Sequence, residues 1–311
     1  AYCYARQDTT SGGLVSTGVP AHEPAPADLQ PGVRMSVSAR RAMIAERYET
    51  WEAGMQTRPR WEALKQTARL HYTPRDPNGP QYEPPPFETV GLKVGLTMLI
   101  DFSDVAGTIP QAEVVNFLNG DNYTGFGNNG SVKEYFYDNS GGLLTYTNVA
   151  TIYVRAPQPK SFYADVTKDA GSQGNLLIKD CLEVLKGLPN YQTEILPLFD
   201  ALTTDAQNRV VAFNVYYAGD DGGVWAAGLW PHSWVLAEVG EQELSPGGKK
   251  LWFYQLTNIG NQLSIATFCH ENGHMLCGYP DICDYEYDST GGAGVFCLMN
   301  SGGFGQNPSQ I

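Results

Sequence analysis

Apolar residues recur along the chain with two different periods, which predict strands and helices in alternation after residue 88. Residues 92–102 (LKVGLTMLIDF) form a nearly continuous apolar run that ends in acidic residues, as a buried central strand does. Residues 143–154 alternate between apolar and polar side chains, which is typical of a strand or a hairpin. Three more stretches predict strands, at 209–219, 229–238 and 249–258.

Helical periodicity appears between these strands. Residues 132–142 predict a short helix closed by glycine, and 175–190 predict a longer helix that stops at Gly187 and Pro189. The apolar face of the longer helix consists of Leu176, Leu177, Cys181, Val184 and Leu185. Strands interleaved with helices indicate an α/β or α+β domain over residues 89–311.

The first 88 residues have a different character. Residues 1–32 are rich in Gly, Pro, Ser and Thr and predict irregular structure, whereas 38–70 predict two amphipathic helices broken near Pro59. Residues 74–86 hold six prolines, which cannot continue a helix or a strand ladder. We therefore expect two parts, 1–88 with its proline-rich linker and 89–311.

Charge and composition exclude several classes of partner. The 311 residues include 20 Lys and Arg against 33 Asp and Glu, for a net charge of −13, which disfavours nucleic acid and anionic membranes. No apolar run is long enough to span a membrane. The low lysine content and two N-glycosylation sequons, at Asn122 and Asn129, favour a secreted, extracellular protein whose signal peptide has been removed.

The strongest chemical signal is HENGHMLCGYPDICDY at 270–285. His270 and His274 are four residues apart, which on a helix places both rings on one side, where they can bind one metal ion. Glu271 lies on the flank of that pair, where a carboxylate can act as general base and then acid. Ser264 is a candidate cap for this helix, and Gly278 a candidate end.

A third protein ligand is needed to complete a catalytic metal site. Asp281 follows a Gly-Tyr-Pro turn that lets the chain double back beneath the helix, and Asp284 is the nearest alternative. Both carboxylates are also candidates for capping the turn. Two histidines and one carboxylate suit Zn²⁺ or non-haem iron, and Glu271 favours zinc-dependent hydrolysis.

Together with GVFCLMNSGG at 294–303, this segment resembles the immune inhibitor A family of secreted zinc metallopeptidases, which is related to the metzincins. The resemblance extends over most of 92–311. It implies a zinc endopeptidase with a twisted mixed sheet, a backing helix and an active-site helix. It further implies that His270 and His274 are zinc ligands, that Glu271 is the base, and that Met299 forms the turn beneath the metal.

The chain departs from that family at one place. Three residues, Met275, Leu276 and Cys277, stand between His274 and the glycine, where the family commonly has two. Asp281 is thereby shifted by one position, a shift that a bulge at the end of the helix would absorb. Cys277 is an alternative thiolate ligand.

The resemblance also implies a latent zymogen, with residues 1–88 as its helical pro-segment and intramolecular inhibitor. Cys3 or the nearby Asp8 is a candidate for blocking the zinc, although Cys3 is equally a candidate disulfide partner. Activation would be cleavage within 68–90, near Arg69 or Arg75. The chain stops soon after Met299, which suggests a truncated catalytic domain.

Two further sites are weaker predictions. The segment LWPHSW at 229–234 predicts an edge strand for an extended peptide or protein substrate, with His232 as a possible substrate contact or, more commonly, a core histidine. A structural Ca²⁺ site is possible at loop carboxylates, which are more often simply solvated. Its candidate ligands are Asp101, Asp104, Asp220 and Asp221.

Two other functions remain open. One is an exported, non-catalytic binding protein with a structural zinc site, a role in which Glu271 would have no use. The other is an aminopeptidase, which needs an acidic anchor for the substrate amine that the sequence does not reveal.

Overall fold

The computed structural model describes residues 3–10, 14–20, 24–29, 87–224, 226–282 and 297–300. By its internal contacts the chain divides into two compact units. One unit comprises Ala1–Gly79 and Asp138–Leu143, and the other comprises Pro80–Tyr137 and Leu144–Ile311. The predicted helices at 38–70, the proline-rich segment 74–86, both candidate cleavage arginines and Asp284 lie outside the described residues.

An antiparallel hairpin forms in the first unit, from β1 (Cys3–Gln7) and β2 (Leu14–Pro20). The prediction of irregular structure for residues 1–32 was therefore wrong at these positions. Glycine-rich composition concealed a short stretch of β-branched residues, including Val15, Thr17 and Val19, which favour extended backbone.

The second unit contains a five-stranded mixed sheet, and the prediction of an α/β domain is confirmed. Its strands are β3 Gly91–Asp101, β4 Leu144–Arg155, β5 Phe213–Ala218, β6 His232–Val235 and β9 Phe253–Ile259. They run in the order β4-β3-β5-β9-β6, with all neighbouring pairs parallel except β6 with β9. Two short strands, β7 (Gln242–Glu243) and β8 (Lys250–Leu251), pair separately.

Five described α-helices accompany this sheet. They are α1 Gln111–Asn119, α2 Val132–Asn139, α3 Lys160–Tyr163, α4 Ala170–Lys186 and α5 Ile265–Cys277. The predicted helices at 132–142 and 175–190 correspond to α2 and α4, and α1 was not predicted. None of the described helices is long and apolar enough to cross a membrane.

Alternation along the strands sends side chains to two different cores. On one face, Leu96 and Met98 of β3 pack with the apolar stripe of α4, which includes Leu177 and Leu182. On the other face, Leu99 joins residues of α1, α2 and α5. Helix α5 is anchored there by Phe268, whose ring lies 4.8 Å from that of Tyr216 and 6.2 Å from that of Phe117.

The face beneath α5 is polar at its centre. Hydrogen-bonded side chains from all four parallel strands meet there, and each is buried. They are Thr97, Tyr146, Asn148, Asn214, Gln255 and Thr257. Buried polar side chains that bond one another fix specific orientations, which apolar packing alone does not.

The outer edge of β4 is covered by side chains of α1. The amide of Asn119 accepts from the backbone N–H of Asn148 at 2.8 Å and donates to its carbonyl at 2.8 Å. Gln111 donates to the carbonyl of Ala150 at 3.0 Å. These contacts occupy backbone groups that a sheet edge otherwise presents to another strand.

Candidate metal centre

Helix α5 carries the candidate metal ligands and ends where the sequence predicts. The Ser264 hydroxyl accepts from the backbone N–H of Ala266, which caps the start of the helix. Gly278, with φ 64°, adopts the left-handed conformation that ends it. Asn128 fixes the start further, because its amide donates to Leu263 O at 2.7 Å and accepts from Ile265 N at 3.2 Å.

Three side-chain atoms converge on one side of α5. The Nε2 atoms of His270 and His274 are 3.1 Å apart. Asp281 Oδ1 lies 3.1 Å from Nε2 of His270 and 3.4 Å from Nε2 of His274. The structure thus brings the two histidines together with Asp281. We refer to the two Nε2 atoms and Asp281 Oδ1 as the ligand triangle.

Backbone carbonyls orient both imidazole rings. Nδ1 of His270 lies 2.7 Å from the carbonyl oxygen of Leu298, and Nδ1 of His274 lies 2.5 Å from that of Tyr279. A carbonyl can only accept, so Nδ1 carries the proton in each pair. When a ring is neutral, its Nε2 carries a lone pair directed into the ligand triangle.

Glu271 lies beside the ligand triangle and is buried. Its Oε1 is 3.9 Å from Nε2 of His270, and the backbone N–H of Ser233 in β6 hydrogen-bonds its carboxylate. Burial raises the pKa of Glu271, while the charges of His270 and His274 act in the opposite direction. A carboxylate whose pKa is moved towards neutrality is suited to exchanging protons.

The neighbouring carboxylates favour the protonated form of His270. Burial by itself lowers the pKa of His270, but the hydrogen bond to Asp281 and the charge of Glu271 outweigh it and raise that pKa to about 9. Any metal that binds must displace this proton, so its affinity is expected to rise with pH.

Met299 lies directly beneath the helix. Its Sδ atom is 2.7 Å from the position that a Cβ atom would take at Gly273, and it is 7% exposed. The backbone N–H of Ile282 donates to Met299 O at 2.8 Å, and Asn300 Nδ2 donates to Ile282 O at 3.0 Å. These bonds tie the loop that carries Asp281 to the methionine segment.

The additional residue between His274 and Gly278 is taken up by the helix. Met275 and Leu276 are buried in the core beside α5, and the helix continues through Cys277. Cys277 packs against that same apolar core, and burial raises the pKa of its thiol to about 11. Asp281 Oδ1 lies within 3.4 Å of both histidine Nε2 atoms, whereas Cys277 packs against the core, so the geometry favours Asp281 over Cys277.

His232 does not join this cluster through its ring nitrogens. Nδ1 lies 2.6 Å from Trp230 O and Nε2 lies 2.8 Å from the Tyr254 hydroxyl. Burial is the main cause that lowers the pKa of His232 to about 4, so the ring is neutral. Both nitrogens are engaged within the fold, as in the core role, and the contact with substrate stays a prediction.

The aspartates proposed for calcium have protein partners. Asp101 accepts two hydrogen bonds from Arg155, at 2.6 and 2.7 Å, and Asp221 accepts from the backbone N–H of Gly223. Within the described part of the chain, one group of three or more His, Cys, Asp or Glu side chains could hold a metal ion, and it consists of His270, Glu271 and His274.

Lys160 places an ammonium group where a calcium ion was predicted. Its backbone N–H donates to Asp104, and its Nζ donates to the carbonyl oxygen of Asp220 and lies 3.2 Å from that residue's carboxylate. Gly219 leaves room for the Lys160 ammonium group, because a Cβ atom at this position would be 2.6 Å from Nζ. The φ of 89° at Gly219 also favours glycine.

Cys3 falls in β1, but its side chain lies outside the described residues, as does Asp284. Sequence reasoning missed the carbonyl groups of Leu298 and Tyr279, since backbone acceptors leave no compositional trace. It also missed Gly273, although a glycine in a helix interior is a signal of close packing.

The fold and the site define a mixed α/β protein whose helix α5 presents two histidines, a glutamate and a neighbouring aspartate as a candidate metal centre. The sequence matches no protein-family model and no curated protein.

Proposed function

We propose that this chain is a secreted zinc-dependent endopeptidase that is made in a latent form. The observation that carries the proposal is the ligand triangle, with sides of 3.1, 3.1 and 3.4 Å. In a tetrahedral zinc site with bonds of roughly 2.0–2.1 Å, neighbouring ligand atoms are about 3.3 Å apart. The triangle therefore has the dimensions of three corners of such a site.

The chemistry of the three groups fits the same ion. Two imidazole nitrogens and one carboxylate oxygen, from His270, His274 and Asp281, leave a fourth corner without a protein ligand, as catalytic zinc sites do. When bound, zinc supplies Lewis acidity, which activates a water molecule near neutral pH and polarises a carbonyl group. Iron accepts a similar ligand set, but Glu271 favours hydrolysis.

Glu271 is the proposed proton carrier. Its buried carboxylate lies beside the triangle and is held by the backbone N–H of Ser233. We infer that it accepts a proton from the attacking water and delivers it to the leaving amine. A structural metal site has no need for a buried acid at this position, which argues against the non-catalytic alternative.

The position of strand β6 supports the proposal of a peptide substrate. It is an edge strand of the described sheet, it runs antiparallel to β9, and Ser233 links it to Glu271. An extended peptide that pairs with β6 by strand addition would therefore lie beside the general base. We propose an endopeptidase in preference to an aminopeptidase because such an edge accepts the middle of a peptide.

We also propose that the chain is related to the immune inhibitor A family and the metzincins, which its sequence resembles. The mixed sheet, the helix α5 and the position of Met299 under Gly273 are consistent with it. Latency is proposed from the sequence of residues 1–88, and the division between Gly79 and Pro80 falls within the predicted proline-rich linker.

The test compares wild type with Glu271→Gln and, as a matched control, Glu183→Gln at an exposed glutamate. Zinc content and casein hydrolysis are measured before and after limited proteolysis within 68–90. We expect one zinc per chain in all three proteins and activity only after cleavage. Glu271→Gln should lower activity by about 10²–10⁴-fold.

Two outcomes would contradict the proposal. If wild type holds no zinc, the ligand triangle does not bind that metal. If zinc is bound but cleaved wild type and Glu271→Gln are equally inert, the site is structural and the exported binding protein becomes the better interpretation.

A further inference from the structure

The helix α5 is joined to the sheet by a hydrogen bond on the side opposite its histidines. Asn272 is two residues from both His270 and His274, so it projects roughly 200° around the helix from each. It is fully buried. The Tyr146 hydroxyl, on strand β4, lies 2.9 Å from its Oδ1 atom, and its Nδ2 donates back to Phe268 O at 2.9 Å.

The donors available in this polar cluster determine where the single hydroxyl proton of Tyr146 goes. The two shortest contacts of Asn214 Nδ2, both 2.8 Å, take its two protons to Tyr146 Oη and Asn148 Oδ1. Asn148 Oδ1 also receives the Thr97 hydroxyl at 3.1 Å. The Tyr146 hydroxyl also lies 3.1 Å from Asn148 Oδ1, but that oxygen already accepts from Asn214 and Thr97, so the Tyr146 proton is directed to Asn272.

The Tyr146–Asn272 bond constrains the rotation of α5, which the apolar contacts of the helix leave free. The aromatic and aliphatic side chains around Phe268 hold the helix against the sheet, but such contacts are non-directional and tolerate small rotations. The Tyr146–Asn272 bond has a preferred length and angle. Because Asp281 lies on a loop tied to Met299 and both histidines lie on α5, a small rotation of α5 changes the two sides of the ligand triangle that meet at Asp281.

We propose that Asn272 is a positioning residue for the metal centre, and that its hydrogen bond with Tyr146 sets the rotation of α5 at which the ligand triangle closes. This inference rests on the proposed zinc site. It assigns a function to the third residue of His-Glu-Asn-Gly-His that is independent of ligation and proton transfer.

Tyr146→Phe removes only the hydroxyl group, and Tyr217→Phe is its matched control. Tyr217 is also fully buried, but its hydroxyl donates to Leu229 O at 2.6 Å on the other face of the sheet. Zinc affinity is measured by competition with a chromophoric chelator, the ligand geometry by the visible absorption of the Co²⁺ form, and stability by urea unfolding without metal.

Both variants should lose stability, because each leaves a buried acceptor without its donor. We expect Tyr146→Phe alone to weaken zinc binding by about tenfold, the lower end of what supporting residues around metal ligands contribute. It alone should also alter the Co²⁺ spectrum, since the ligands would no longer meet at the same distances.

A double variant, Tyr146→Phe with Asn272→Leu, separates positioning from stability. With both polar partners removed, no buried acceptor is left without a donor, so stability should recover relative to Tyr146→Phe. Zinc affinity should remain about tenfold below wild type, because the directional bond is still missing. This variant also provides a folded protein if Tyr146→Phe proves too unstable.

The proposal would be overturned if zinc affinity and the Co²⁺ spectrum stayed at wild-type values in Tyr146→Phe, or returned to them in the double variant. Either result would make the bond one of stability only. A wild-type protein that bound no zinc would instead refute the proposed function, so the two failures are distinguishable.

Discussion

Met299 reaches so close to Gly273 that its Sδ atom lies 2.7 Å from where a Cβ atom would begin. Glycine in the middle of a helix costs about 1 kcal/mol relative to alanine. The close approach of Met299 explains why α5 has a glycine between His270 and His274. The segment that holds Leu298 and the helix that holds His270 can then lie in direct contact.

Substituting Gly273 by alanine should therefore destabilise the protein despite the better helix propensity of alanine. The overpacking against Met299 is expected to cost about 2 kcal/mol, of which about 1 kcal/mol is recovered through propensity. Urea unfolding would measure the net loss. Gly260→Ala, after β9, is the control, because no atom would lie within 4 Å of its Cβ atom and no loss of stability is expected.

Asp281 should be the carboxylate that completes the metal site. Asp281→Asn is expected to weaken zinc binding by on the order of 100-fold, because it removes the charged corner of the ligand triangle. Cys277→Ser should leave the affinity unchanged, since that thiol packs against the apolar core. Chelator competition on Asp281→Asn, Cys277→Ser and Asp284→Asn identifies the third ligand. If only Asp284→Asn lost zinc affinity, Asp284 would be that ligand.

His232 should make the protein less stable as the pH falls from about 6.5 to 4. Its pKa in the folded protein is about 4, against an ordinary value of 6.5, so in this window the unfolded chain binds a proton that the folded chain does not. Stability is therefore complete above 6.5 and decreases below it, by about 2 to 3 kcal/mol in total.

The measurement is urea unfolding of wild type and His232→Gln at pH values from 7 to 4. Other groups titrate equally in both proteins, so the difference between them isolates His232. We expect wild type to lose its advantage over the variant as the pH decreases, and a constant difference would contradict the assignment.

Lys160 should stabilise the loops at the ends of β3 and β5. Its side chain is 10% exposed, and Lys160→Met would leave the Asp220 carbonyl without its charged donor. We expect a loss of about 2 kcal/mol, as for other hydrogen bonds to charged groups. Lys179→Met, at an exposed i,i+4 pair, is the control and should lose less than about 0.5 kcal/mol.

A calcium titration completes that comparison. With the Lys160 ammonium group on Asp220 and the Lys160 backbone N–H on Asp104, added Ca²⁺ should not raise the midpoint of thermal unfolding of wild type. A clear calcium-dependent increase that disappears in Asp220→Asn would restore the calcium site predicted from the sequence.

Local patterns in the sequence were sufficient to predict helix α5. The Ser264 cap and the Gly278 end were both correct, because capping depends on residues only a few positions apart. The continuous apolar run at 92–102 likewise corresponds to β3. The short helix α1 was missed, although Val114, Phe117 and Leu118 have helical spacing, because no side chain caps its start.

Contacts between distant segments could not be predicted. Tyr146 and Asn272 are 126 residues apart, and neither residue type indicates the other. The pairing of His270 with Leu298 O is similar, since any residue supplies a carbonyl. The predicted strand 249–258 was divided into β8 and β9, with Trp252 between them, because β8 pairs with β7 whereas β9 pairs with β5 and β6.

The cover that Asn119 and Gln111 place over β4 limits how copies of this chain can associate. Fibrous growth by sheet extension needs two available edges on every molecule, so that each copy can join one neighbour on either side. Within the described sheet, β6 is the other edge strand, and α1 places no such cover on it. Extension through this sheet therefore stops after one added strand, and that strand arrives beside Glu271.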